Sequence, residues 1–197
     1  MYHYSGLGQR QLLGNNPVRY VDLDGRTNYI FYDEESFSKQ AEAEAKRIPV
    51  TDNEQTVMIP IKSEEEFKNA WNQMDNVTDV SLFFHGSAKT LNLDWESNEY
   101  LTVNENGKTP KGADALYIGD LFSKEIETLK IFSCQSGNVK EPDNVASCFE
   151  KNNEINSIYA TDGNLFYIPF IFTPRSSITG KNEYVEKYGQ NQKVLLR

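Results

Sequence analysis

The chain has 197 residues, 38% of them hydrophobic and 25% charged, with a net charge of −9, two cysteines and two histidines; that suits one domain with a sizeable core plus an appendage and excludes wholesale disorder. An acidic balance without clustered Lys and Arg argues against nucleic acid as a partner. No apolar run is long enough to span a bilayer, no charged-then-apolar signal segment opens the chain, and two cysteines in this length read as free thiols rather than a disulfide framework.

The first residues, to Gly25 and Arg26, are rich in Gly, Asn, Tyr and Asp and carry turn signals at "GNNP" and "DLDG". Their composition predicts a loosely packed leader over residues 1–26, ahead of a domain over 27–197. Periodic signals begin at "TNYIFYD", a strand, followed by a helix over "EESFSKQAEAEAKRI" with Asp33 as its cap. "TVMIPI" reads as a second strand. Ser63 and Glu66 form a capping box for the next helix, whose Phe67, Ala70, Trp71 and Met74 recur at i, i+3, i+4 and i+7 and must be buried.

"DVSLFFHG" follows, apolar at both alternating positions, as a central parallel strand covered on both faces should be. Between residues 87 and 114, "LNLDWES" and "EYLTVNENGK" predict a small hairpin or a long excursion. "ALYIGDLFSKEI" leads into a helix near Asp120, and "TLKIFSC" is the next strand. "DNVASCFEKN" reads as a helix capped by Asp143 or Asn144, with Val145, Cys148 and Phe149 on its apolar face. "INSIYATDG" is a strand, and "NLFYIPFIFTP" is an edge strand or two short pieces broken by Pro169. Strands alternating with helices give an α/β fold with a mainly parallel sheet.

Two strands end in reactive residues, one in His85-Gly86 and the other in Ser133-Cys134. In open α/β sheets the carboxyl ends of adjacent strands converge on one crevice. A thiol there can act as nucleophile, an imidazole beside it can carry the proton, and a backbone N–H can stabilise the oxyanion. Gly86 and Gly137 leave room for a substrate backbone. Taken singly, each reactive residue has a plainer reading, Cys134 as a small core side chain and His85 as a hydrogen-bonded structural one. Cys148 reads as core, Trp71 as core and Trp95 as loop packing. No C-x-x-C pair supports a metal site.

His85 precedes Cys134 by 49 positions, close to the roughly 50-residue spacing and the order found in caspases. With the apolar strand before each residue and the Ser-Gly turn after the cysteine, the pattern over roughly residues 27–170 resembles the caspase-like cysteine peptidases. That group also contains clostripain, the gingipains and the self-processing domains of large bacterial toxins. The resemblance implies a three-layer α/β sandwich and a cysteine endopeptidase. It assigns His85 as general acid/base, Cys134 as nucleophile, and the backbone N–H groups of Gly86 and Cys134 as the oxyanion hole. It implies a protein or peptide substrate and neither cofactor nor metal. "SCQSG" has one residue more between cysteine and glycine than the caspase Gln-Ala-Cys-x-Gly, so aspartate specificity is not carried over. Asp162 in "ATDGN" has two readings, an Asp-Gly turn former or, if the strand order follows the family, a pocket carboxylate for a basic side chain.

"GNNPVRYVDLDG", with Leu23 where the family has proline, resembles the segment that ends the core of RHS or YD-repeat proteins ahead of a variable C-terminal toxin. This implies an effector secreted or delivered into a target cell as part of a larger bacterial toxin, without membrane insertion, and an immunity protein as a further partner. The alternative is a catalytically inert module of the same fold, used for binding.

Overall fold

A computed structural model describes residues 25–48, 54–167, 176–179, 184–188 and 192–196. The expected leader, apart from Gly25 and Arg26, and Pro169 lie outside the described residues.

In chain order, β1 (Arg26–Asp33) leads to α1 (Glu34–Ala45), β2 (Glu54–Ile61), α2 (Glu64–Gln73) and β3 (Val77–Phe83). Four short strands follow: β4 (His85–Gly86), β5 (Thr90–Asp94), β6 (Glu99–Thr102) and β7 (Leu116–Tyr117). After them come β8 (Glu125–Phe132), α3 (Val145–Asn152), β9 (Glu154–Thr161), β10 (Asn164–Tyr167), β11 (Ser176–Thr179), β12 (Tyr184–Tyr188) and β13 (Gln192–Leu196).

The central sheet runs β13-β12-β9-β8-β3-β1-β2. Its five strands from β2 to β9 are mutually parallel, while β12 and β13 each run antiparallel to their neighbours. The chain steps outward from β1 to β2 and then returns past β1 to β3, so the strand order reverses between β1 and β3. Right-handed crossovers in opposite directions put α1 and α2 on opposite faces of the sheet. The step from β8 to β9 repeats the direction of β2 to β3, and α3 accordingly lies on the α2 face. The buried side chains divide in the same way. Phe37 and Ala41 of α1 pack with Ile30 and Phe83. Phe67 and Trp71 of α2 and Val145 and Phe149 of α3 pack with Phe31, Val80, Leu82, Leu129 and Ile131. The fold is therefore α/β with a mainly parallel central sheet and helices on both faces, an arrangement compatible with three layers.

The caps decide where the helices start. Asp33 Oδ1 accepts the N–H groups of Glu35 (3.0 Å) and Ser36 (3.3 Å), and Asn144, rather than Asp143, caps α3 through Ser147 N–H at 2.9 Å. Ser63 caps α2 through Glu66 N–H at 3.2 Å, but the Glu66 carboxylate takes the N–H of Lys62 instead of closing the box on Ser63.

The expected helix near Asp120 is not formed. A single 3-10 turn, Ile118–Asp120, stands there, and extended chain leads on to β8. Its backbone groups are served by side chains of flanking helices, which removes the need for an intrahelical ladder. Asn72 Oδ1 accepts Phe122 N–H at 2.9 Å, and Asn152 donates to the carbonyls of Ile118 (3.2 Å) and Leu121 (3.0 Å). The uncertain stretch after His85 resolves into a four-stranded sheet in the order β4-β5-β6-β7. Leu91, Leu93 and Leu101 anchor it to the core on the α2 face.

Candidate active site

Strands β3 and β8 are neighbours, and their ladder pairs Asp79 with Thr128 through Phe83 with Phe132. The ladder offset equals the sequence separation of His85 and Cys134. Each residue therefore stands two positions beyond the last pair, at the carboxyl end of adjacent central strands. Phe83 and Phe132 stack below them, with ring centroids 4.3 Å apart.

His85 is half-buried, and its ring contacts Phe37 of α1 and Trp95 of the β5–β6 turn, each at 4.8 Å between centroids. Burial pushes its pKa below the ordinary imidazole value, and the negative charge of Asp33 works in the opposite direction. Cys134 is half-buried as well. Its Sγ accepts the N–H of Leu165 on β10 at 3.3 Å and lies 3.8 Å from the carbonyl of the same residue. Among the described residues no hydrogen bond joins His85 to Cys134; β10 holds the sulfur, and two aromatic rings hold the imidazole.

The turn after Cys134 is tied down by hydrogen bonds. Gln135 sits at φ +56°, its N–H bonds Gly163 O at 2.8 Å, and Gly137 N–H bonds Thr161 O at 2.9 Å. Ser136 is fully buried, donating to Ser133 O at 3.1 Å and receiving Thr161 N–H at 3.3 Å. The Thr161 hydroxyl donates to the same Ser133 carbonyl. The Cys134 N–H takes no part in these turn bonds.

Ser87 N–H bonds Thr90 O at 2.9 Å, so the next pair, Gly86 with Leu91, is the non-hydrogen-bonded one. The alternation of an antiparallel ladder then turns the Gly86 N–H away from β5. What demands glycine at these two positions is packing within the protein. A Cβ on Gly86 would collide with Ser133 Oγ and stand 2.6 Å from the Thr90 carbonyl, and one on Gly137 would stand 2.8 Å from Ala160 Cβ.

Asp162 Oδ1 accepts the N–H of Val139 at 2.9 Å, tying the β9–β10 turn to the segment that follows Cys134. Cys148 lies in the core, and burial raises its thiol pKa to about 11. Trp71 is fully buried, as its helical spacing predicts. Trp95, read as loop packing, is 66% exposed, and its ring leans on His85.

The residue that sequence reasoning missed is Asp33, taken there only as a helix cap. It is 4% exposed, and its Oδ2 has no hydrogen-bond partner. Two more buried side-chain oxygens share that condition among the described residues, Asn92 Oδ1 and Ser133 Oγ. Asn92 is the cross-strand partner of His85, and Ser133 immediately precedes Cys134. Unfilled hydrogen-bonding capacity is thus concentrated around the two strand ends. The signal that could have found Asp33 is its place at the end of β1, next to β3, where the strand order reverses and α/β sheets bind ligands.

A cavity of about 550 Å³ lies at the opposite, amino-terminal end of the strands, lined by Arg26, Glu44, Asp79, Glu127 and Lys130 among others. Its charges pair with one another, Lys130 with Glu44 at 2.9 Å and Arg26 with Glu127 at 3.8 Å. No helix among the described residues is long and apolar enough to cross a membrane. No protein-family model, no curated protein and no solved structure matches the chain.

Proposed function

We propose that the protein is a caspase-like cysteine endopeptidase in which His85 and Cys134 form a catalytic dyad, acting as the effector domain of an RHS-type bacterial toxin. One observation carries the reading: the His85–Cys134 separation equals the register offset of β3 and β8, so each residue follows the last pair of these neighbouring strands by two positions. In the reaction, the Cys134 thiol passes its proton to His85 and the sulfur attacks the scissile carbonyl carbon. His85 then returns the proton to the leaving amine, and water releases the acyl group. The N–H groups of Cys134 and Gly86, one outside the turn's bonds and the other turned away from β5, are the donors offered to the oxyanion. The RHS-type setting, with its immunity protein, rests on the "GNNPVRYVDLDG" segment alone.

A second reading, an inert binding module, is favoured by the engagement of Cys134 Sγ with Leu165. The peptidase reading requires that contact to yield when substrate binds, as catalytic hydrogen bonds in free enzymes commonly rearrange. Digestion of an unbiased peptide library, read by mass spectrometry, separates the two. The expected result is cleavage after a recurrent residue that disappears with Cys134→Ala; cleavage that persists in the variant, or none in the wild type, contradicts the assignment.

A further inference from the structure

We infer that Asp33 is a positioning residue for His85, its buried carboxylate orienting the imidazole and stabilising the imidazolium formed when Cys134 gives up its proton. The inference rests on the dyad proposed above and extends it to a third residue. Three observations bring Asp33 to His85. Tyr32 of β1 pairs with Phe83 of β3, so Asp33 ends its strand beside Phe84, the residue before His85. The helix that Asp33 caps lays Phe37 on the His85 ring at 4.8 Å. Finally, Asp33 uses Oδ1 for the cap and leaves Oδ2 buried and unpaired.

An orphaned carboxylate oxygen in a 4% exposed side chain is costly, and a functional role at the site accounts for its retention. A donor suited to it is a ring N–H of His85, which the neutral imidazole carries on one nitrogen and the imidazolium on both. Asn92 Oδ1, likewise unpaired and directly across from His85 in the β4–β5 ladder, offers an acceptor from the other element at the site. Other titratable groups on the elements around His85 are engaged elsewhere. Glu34 at the start of α1 pairs with Lys62 at 3.1 Å, Asp94 of β5 accepts Glu96 N–H at 2.9 Å and the Ser97 hydroxyl, and Cys134 is bound to Leu165.

Asp33→Asn tests this, because asparagine caps a helix as well as aspartate does while it removes the charge and puts an NH2 group in place of the unpaired oxygen. Asp33→Ser, also a good cap, is the second variant, with thermal unfolding followed by circular dichroism to confirm that both fold. The titration of His85 is read by NMR on the full chain labelled at its two histidines, with His85→Ala to assign the signal, and kcat and KM are measured on a cleaved library peptide. The Asp33 charge raises the His85 pKa, so both variants are expected to lower the midpoint and to reduce kcat by about tenfold or more at unchanged KM. An unchanged midpoint in folded variants overturns the inference, and so does a lowered midpoint with unchanged kcat. A lowered midpoint in a protein whose wild type cleaves nothing upholds the Asp33–His85 coupling and removes the peptidase reading instead.

Discussion

Replacing Cys134 or His85 by alanine is expected to reduce peptide cleavage by about a thousandfold or more, and replacing both is expected to be no worse than replacing one. The sulfur without a proton acceptor is a weak nucleophile at neutral pH, and the imidazole without the sulfur has nothing to activate, so each loss forfeits the same transition-state stabilisation. Additive losses would show that the residues act independently. Cys148→Ala is expected to keep full cleavage, because that thiol lies in the core, where burial raises its pKa to about 11. The cycle is measured as kcat/KM on one library-derived peptide for the four proteins.

Trp71→Ala is expected to be the most damaging single change to the fold, at about 4 kcal/mol. The side chain is fully buried among Phe31, Phe67 and Phe149, at ring distances of 6.1, 5.7 and 5.2 Å. Its Nε1–H donates to Phe122 O at 3.0 Å, which fixes the segment entering β8 to helix α2. Alanine leaves a cavity between α2, α3 and the sheet and an orphaned carbonyl beside it. Trp71→Phe keeps most of the ring area but loses the bond, and should cost about 1–3 kcal/mol. Urea unfolding followed by circular dichroism checks both values; a loss below about 1 kcal/mol for Trp71→Ala would contradict this account of the core.

The parts of the fold that are legible in the sequence are those set by local chemistry. Asp33, Ser63 and Asn144 announce their helices through short-range caps, and the period of Phe67, Ala70, Trp71 and Met74 identifies the buried face of α2. The apolar residues on both faces of the second half of β3, Val80, Leu82 and Phe83, also mark it as a central strand. Long-range contacts set the remainder. The segment around Asp120 stays non-helical because Asn72 and Asn152, distant in sequence, satisfy its backbone. Strands β4 to β7 are two to five residues long, too short for a period to declare itself.

The candidate site divides in the same way. His85 and Cys134 can be read from the sequence because each follows an apolar strand, and their spacing carries the register of two strands whose pairing is invisible until the sheet is formed. Asp33 is hidden because one carboxylate serves two neighbours, and the cap alone accounts for its presence in the sequence. Trp95 lies in a polar turn whose approach to His85 depends on the return of β5 along β4.

The central claim is that His85 acts on Cys134, and the rate at which each cysteine is alkylated tests it without knowledge of any substrate. Native protein and His85→Ala are treated with iodoacetamide at neutral pH, and modification of Cys134 and Cys148 is followed by peptide mapping, with Cys148 as the internal control in both proteins. The account predicts that Cys134 reacts far faster than Cys148 in the native protein, and that its rate falls about tenfold or more in His85→Ala while that of Cys148 stays constant. Equal Cys134 rates in the two folded proteins would contradict the dyad.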